Sequence, residues 1–267
     1  MGADIKNLRG RIKSVNSTLH LTKAMGLVAS SKIRRATQNM EKSKSYMEAV
    51  SEVIDLLLNS PEADKIPYMQ KRDTNKLCLI VIAGDRGLAG GYNANVFRLA
   101  REYEASTVIP IGKRACDYYK KEPCYTESFS SSEAMELAEK LCKGFAAGEF
   151  DRVGIICTKY LSIMSQEAYV KWLLPLERKE NKTAQSVLFE PDEVTILKTA
   201  IFEYIGAIIT AAVRESFASE VAARRFAMDS AGKNAQQMLD ELHIKYNRAR
   251  QGAITQEITE IVAGSDA

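Results

Sequence analysis

Residues 4–40 read DIKNLRGRIKSVNSTLHLTKAMGLVASSKIRRATQNM. Ile5, Leu8, Ile12, Val15, Leu19, Thr22, Gly26, Ala29, Ile33, Ala36 and Met40 step along this stretch by three and four without a slip. Residues at that spacing share one stripe of a helix, and a stripe kept for about five heptads is the mark of a coiled coil. Asp4 suits the positive end of the helix dipole, and Asn59-Ser60-Pro61 is a stop signal. A helix over residues 4–59 would be about 80 Å long, more than an ordinary domain needs.

All 6 prolines fall between Pro61 and Pro191. Both flanks therefore lack the residue that breaks a helix interior. The chain divides into an N-terminal coiled-coil helix (1–60), an α/β domain (76–190) and a C-terminal helix (192–267). In the second arm Phe217, Val221, Met228, Ala231, Ala235, Met238 and Leu242 keep the three-four step, with Arg224 interrupting the seam. Neither long stripe can bury itself, so the two arms should pair antiparallel. Ile12 is expected to face a residue within 246–253. At the far end Ile254, Ile258 and Ile261 lie on one face, with Gln256, Glu257 and Glu260 off it. A terminus so apolar and so well patterned is expected to be buried in something other than its own chain.

The middle alternates strands and helices. Leu77-Cys78-Leu79-Ile80-Val81-Ile82-Ala83 is a continuous apolar run, which suits a strand covered on both faces of a parallel sheet. Helical stretches are expected over 93–104, 113–121 and 132–147. Further strands are expected over 107–111 and 153–158, with an antiparallel edge strand over 169–176.

The turn after the first strand carries Gly84, Gly87, Gly90 and Gly91. This is not the GxGxxG spacing, and the second strand ends in Pro110-Ile111-Gly112-Lys113 with no acid to hold a ribose. The turn reads as a structural or docking loop rather than a nucleotide site. Ala231-Gly232-Lys233-Asn234 lacks the other residues of a phosphate loop and lies inside a helix. His20 and His243 are the only histidines, and both lie on the arms. Cys78, Cys116, Cys124, Cys142 and Cys157 all lie in the middle and form no CxxC pair. No catalytic triad, no metal site and no cofactor site is expected from these residues, and reduced thiols are expected.

The net charge of +3 is too small to imply a polyanion partner for the whole chain. The first arm is nonetheless basic: Lys6, Arg9, Arg11, Lys13, Lys23, Lys32, Arg34, Arg35, Lys42 and Lys44 stand against Asp4 and Glu41. Such a helix can bind nucleic acid, face acidic walls of a protein partner, or present a solvated surface. No signal peptide is expected, because the N-terminus lacks an apolar core segment. The most apolar run, residues 196–213, contains Lys198 and Glu203, which argues against a membrane span.

Three blocks resemble the γ subunits of F-type ATP synthases, of the bacterial type. They are Arg11-Ile12-Lys13-Ser14-Val15 with Thr22-Lys23-Ala24-Met25 and Val28-Ala29-Ser30-Ser31-Lys32; Asp85-Arg86-Gly87-Leu88-Ala89-Gly90 with Asn93; and Ser219-Glu220, Ala223-Arg224, Ala227-Met228 and Asn234, followed by the run from Tyr246-Asn247 through Arg250-Gln251 and Ile254-Thr255 to Glu260-Ile261-Val262. The resemblance covers the whole length. It implies an α+β/α/β fold: a long antiparallel coiled coil of the N- and C-terminal helices with an inserted small Rossmann-like α/β domain.

The function so implied is that of the central rotating stalk. The coil would rise through the ring of α and β subunits, and the α/β domain would sit against the ε subunit and the membrane c-ring. ATP would bind in α and β, so this chain would be non-catalytic, with no cofactor, no small-molecule substrate and no nucleic-acid partner. Thr22, Lys23, Ala24 and Met25, with Arg248, Gln251 and Thr255, would lie where the coil meets the moving β subunits. Ile254, Thr255, Glu257, Ile258 and Ile261 would lie near the shaft tip. Asp85, Arg86 and Gly87 would form a docking loop of the α/β domain. The expected location is peripheral, on the cytoplasmic side of the bacterial plasma membrane. Gly26, Gly252 and the polar tail Gly264-Ser265-Asp266-Ala267 depart from the usual pattern, and the cysteine-bearing insertion of the chloroplast form is absent.

Overall fold

The computed structural model describes residues 2–60, 63, 66–72, 76–178 and 193–265. The first element is the helix α1 (Gly2–Leu58). It runs unbroken because no residue in it removes a backbone donor, the first proline being Pro61. After it come β1 (Leu77–Ile82), α2 (Tyr92–Ala100), β2 (Thr107–Ile111), α3 (Lys113–Tyr119), α4 (Ser131–Ala147), β3 (Arg152–Tyr160), β4 (Gln166–Leu174) and α5 (Glu193–Ser265). Two long terminal helices with a small α/β domain inserted between them are the fold class expected from the residues.

Packing groups the chain into two units. One is built from α1 up to Ala29 and α5 from Arg225 onward; the other spans Ser30–Arg224. The division cuts the helices rather than following their ends. Its cause is that the later part of α1 and the earlier part of α5 bury their apolar faces in the core of the α/β domain: Ile54, Leu57, Ile201, Ile205 and Ile209 are fully enclosed there. The apolar run 196–213 belongs to this core. Its hydropathy is that of a helix covered by a sheet, although length and composition alone would let α5 cross a membrane.

The sheet has the order β2-β1-β3-β4. β1 pairs parallel with β2 and with β3, and β4 closes the edge antiparallel to β3. Alternate residues of β1 enter different cores. Cys78, Ile80 and Ile82 face α4 and the long helices, while Leu79, Val81 and Ala83 face α2 and α3. Both faces are covered, so the strand shows no polar alternation. β4 begins earlier and stops earlier than the expected 169–176.

Helix ends follow local chemistry. α4 starts one residue before the expected position because Ser130 and Glu133 form a reciprocal capping box, and Gly148 ends it in the left-handed conformation. α2 stops at Ala100, short of the expected 104. The chain must turn there so that Ser106 can donate to the Leu77 carbonyl at 2.9 Å and open β2. α3 stops at Tyr119 because Lys120 adopts a left-handed conformation.

In the coil unit a Cβ built on Gly26 would lie 3.6 Å from the Met228 Cβ, and one on Gly232 would lie 3.6 Å from the Thr22 hydroxyl. Leu19, Ala235 and Leu239 form the centre, with Ile12 and Val15 packed on it. Positions rise on α1 as they fall on α5, so the helices are antiparallel. This register corrects two expectations. Continued along the coil, it sets Ile12 level with Leu242 rather than within 246–253. The seam also passes through Leu239, which is buried, while Met238 is 46% exposed. From Met228 the buried line steps by seven to Ala235, by four to Leu239 and by three to Leu242, so Leu239 keeps the stripe and Met238 leaves it.

Candidate partner-contact surfaces

The coil residues singled out in the sequence form two separate groups. On α1, Thr22 is buried in the seam and donates its hydroxyl to the Leu19 carbonyl at 3.0 Å. Lys23 and Ala24 face solvent, and Met25 is half-buried. On α5, Arg248, Gln251, Ile254, Thr255, Glu257, Ile258 and Ile261 are all exposed. Thr22 lies opposite Gly232, and Arg248 is about 24 Å further along α5 at 1.5 Å per residue. The structure therefore does not bring Thr22–Met25 and Arg248–Thr255 into one cluster; they lie on different levels of the coil.

The register also explains the exposure of the last turns. Gly2, the first described residue of α1, is level with position 252, so among the described residues no part of α1 lies beside α5 beyond Ala253. Ile254, Ile258 and Ile261 are 47%, 56% and 71% exposed, and Val262 joins them at 55%. Residues at these spacings share one helix face. The result is an apolar stripe exposed on the described part of the chain.

The glycine-rich turn shows why it is not a phosphate cradle. Its first backbone donors are taken by side chains of the chain itself, beginning with the Gly84 amide, which donates to the Asn93 side-chain oxygen at 2.8 Å. Glu220 of α5, 1% exposed, accepts from the Asp85 amide at 3.2 Å and the Arg86 amide at 3.1 Å. Arg224 pairs with the same carboxylate and donates to the Gly87 carbonyl at 3.3 Å. The N-terminus of α3 is occupied in the same way. The Asp85 carboxylate accepts from the Lys113 amide at 3.3 Å, from the Thr126 amide and hydroxyl at 2.8 and 2.9 Å, and from the Glu127 amide at 3.0 Å. Anions favour such donor clusters, and here the anions are side chains. Gly84 is required for this closeness, since a Cβ there would lie 2.7 Å from the Glu220 carboxyl carbon. Gly112, at φ +94, would drive a Cβ to 1.9 Å from the Ala83 carbonyl oxygen.

Of the three residues read as a docking loop, Asp85 points inward and Gly87 uses its carbonyl on Arg224, while Arg86 faces solvent. Leu88, at φ 61 and 61% exposed, is the apolar residue that the turn presents outward.

In the sequence, Ser219, Glu220 and Arg224 stand out only as part of the family resemblance, with no structural role given to them or to Ser216, and Arg224 reads as a break in the seam. Ser216 accepts from the Tyr92 hydroxyl at 2.9 Å through its carbonyl, and its own hydroxyl accepts from the Thr158 amide at 3.1 Å. Ser219 donates to the Thr158 carbonyl at 3.2 Å. Burial pushes the Tyr92 hydroxyl far above its ordinary pKa, and the nearby Glu220 charge adds to this, so Tyr92 stays a neutral donor. The available signal was polar residues at helical spacing, 216, 219, 220 and 224, on an otherwise apolar face.

A family model described as ATP synthase matches residues 4–267. The ATP synthase gamma chain of Ruminococcus albus is 40% identical to this chain, with 98% of each covered. The sodium-ion-specific ATP synthase gamma chain of Acetobacterium woodii is 37% identical, covering 100% of this chain and 99% of that protein. Among solved structures, a chain of the Euglena gracilis mitochondrial ATP synthase (OSCP/F1/c-ring, rotational state 3) superposes with a TM-score of 0.70 at 19% identity, covering 100% of this chain and 95% of that one. A chain of the Tetrahymena thermophila mitochondrial ATP synthase central stalk and c-ring gives 0.61 at 23% identity, covering 79% and 99%. At these identities the two structures speak to the fold.

Proposed function

The chain belongs to the ATP synthase gamma-chain family, and on that premise we propose that it is the central rotating stalk of an F-type ATP synthase. It carries torque between ion flow through a membrane c-ring and ATP synthesis or hydrolysis at the catalytic β subunits. It has no catalytic role of its own. Its partners are the α and β subunits of the catalytic ring, the ε subunit and the c-ring. The complex is peripheral to the membrane, and its place is the cytoplasmic face of the bacterial plasma membrane.

The observation that carries this reading is the uncovered end of α5. An exposed apolar stripe on a helix is costly in water, because each large side chain buried is worth about 1.5–3 kcal/mol. A bearing formed by the α and β subunits supplies the missing cover for Ile254, Ile258 and Ile261. Further down the coil, Lys23, Ala24, Met25, Arg248 and Gln251 are available to β-subunit loops, and Arg86 and Leu88 are available from the α/β domain. Unequal contact of one coil with several like β subunits favours a different conformation in each, which is a population shift imposed by the angle of the coil.

The test is reconstitution of the chain with α, β, ε and a c-ring in sealed vesicles. ATP should drive ion uptake, and a bead fixed to the c-ring should rotate in steps. A complex that lacks this chain but still couples hydrolysis to uptake would refute the reading.

A further inference from the structure

We propose that Glu220 is a positioning residue that locks the α/β domain to α5 against sliding, so that torque passes between them through its carboxylate. The inference rests on the rotor reading above and adds to it the joint through which the torque runs.

Two kinds of contact hold α5 to the domain. Between Leu197 and Val213 the contact is apolar. Apolar burial resists separation but is non-directional, so it resists sliding and twisting weakly. From Ser216 to Arg224 a set of directional hydrogen bonds is added to the apolar contact. Such bonds weaken steeply when their angles change, and charge-assisted ones are the stronger kind. Glu220 stands at the centre of this set. One carboxylate oxygen takes the Asp85 amide, and the other takes the Arg86 amide and Arg224.

The amides it holds belong to the turn whose next layer is Asp85. Asp85 in turn fixes the start of α3 and the turn at Thr126 and Glu127. The Glu127 side chain then binds Lys32 of α1 at 2.5 Å. One chain of ionic and amide contacts thus runs from α5 through two loops of the sheet domain to α1. Glu220, 1% exposed, is the charged member of that chain most shielded from water.

Glutamine has the shape of glutamate but cannot accept on both sides. Whichever way its amide turns, an NH2 meets a donor, either the Asp85 amide or the Arg86 amide with Arg224. Glu220→Gln therefore breaks the lock while leaving the fold's volume unchanged. Ser130→Ala is the matched control: it removes the capping box that Ser130 forms with Glu133 at the start of α4, a stabilising contact that lies outside the joint between α5 and the turn.

The experiment uses the complete complex in vesicles and reads ions taken up per ATP hydrolysed. The Glu220→Gln complex should lose about twofold or more in that ratio. The Ser130→Ala complex should keep the ratio, although the isolated chain's Tm falls. An unchanged ratio in Glu220→Gln overturns the proposal, and so does an equal fall in both variants, which would mark a structural effect alone. Should Glu220→Gln fail to assemble, Arg224→Lys keeps the charge but loses the paired contact with Gly87; it should lower the ratio in the same direction, and no change overturns the proposal. Absence of uptake in the unaltered complex would instead refute the rotor reading.

Discussion

Replacing Gly26 with alanine is expected to stabilise the coil. Gly26 lies in the interior of α1, half-buried in the seam. Glycine at such a position is less favourable than alanine by about 0.8–1 kcal/mol, chiefly because it leaves the unfolded chain more freedom. The new methyl group would meet the Met228 Cβ at 3.6 Å, an ordinary van der Waals contact that needs no movement. Burying about half of one methyl group adds roughly 0.4 kcal/mol. The total is about 1–1.5 kcal/mol, or roughly 2–5 °C in Tm for a chain of this size. Thermal unfolding of the isolated chain, followed by far-ultraviolet circular dichroism, measures it. Gly252→Ala is the control. Nothing lies within 4 Å of a Cβ there, and the position is level with the end of α1, so its gain in propensity should not reach the global transition. A Tm for Gly26→Ala that is unchanged or lowered would refute the argument and mean that the coil requires the bare backbone of glycine at that crossing.

Truncation after Ala253 should leave the isolated chain's Tm within error, because Ile254, Ile258 and Ile261 make little contact with their own chain; ATP turnover and ion pumping of the assembled complex should both fall, and an unfolded truncated chain would place the segment in its own core. Asp85→Ala should cost about 3–5 kcal/mol in urea unfolding, since buried donors lose their acceptor at about 1–3 kcal/mol each, and a loss under 1 kcal/mol would contradict the hub. With the five native cysteines replaced, Ile12→Cys paired with Leu242→Cys should form an intrachain disulfide, whereas Ile12→Cys paired with Ala249→Cys should not; the reverse pattern would reject the register. Burial raises the Cys78 thiol from 9.0 to about 11 and the Cys142 and Cys157 thiols to about 12. The unfolded thiols ionise first, so this contribution is complete below pH 9 and is lost as pH rises toward 11–12, by about 1.4 kcal/mol per unit for each thiol; unfolding free energies that stay flat from pH 8 to 10.5 would contradict it.

Periodicity alone determined most of this protein's architecture. A three-four stripe free of proline can only be a helix with one buried side, so both arms and their need for partners were legible in residues such as Leu19, Ala29 and Ala235. The doubly apolar run of β1 was legible for the same kind of reason: covered faces leave no place for polar residues. Register was not legible. A heptad stripe fits a second stripe at many offsets, and only the meeting of Gly26 with Met228 and of Thr22 with Gly232 selected one. That selection put Leu239 rather than Met238 in the seam and left Ile254, Ile258 and Ile261 exposed. The polar joint was hidden as well. Local sequence shows Arg224 as a fault in an apolar stripe, because its partners lie 137 and 4 positions away, at Gly87 and Glu220. Burial of a charge is tolerated only where tertiary structure supplies the opposing donors, and those donors come from a turn that folding brings back across the sheet. The sequence carried the glycines that make the approach possible; the three-dimensional packing decided that carboxylates of the chain, rather than a phosphate, would fill it.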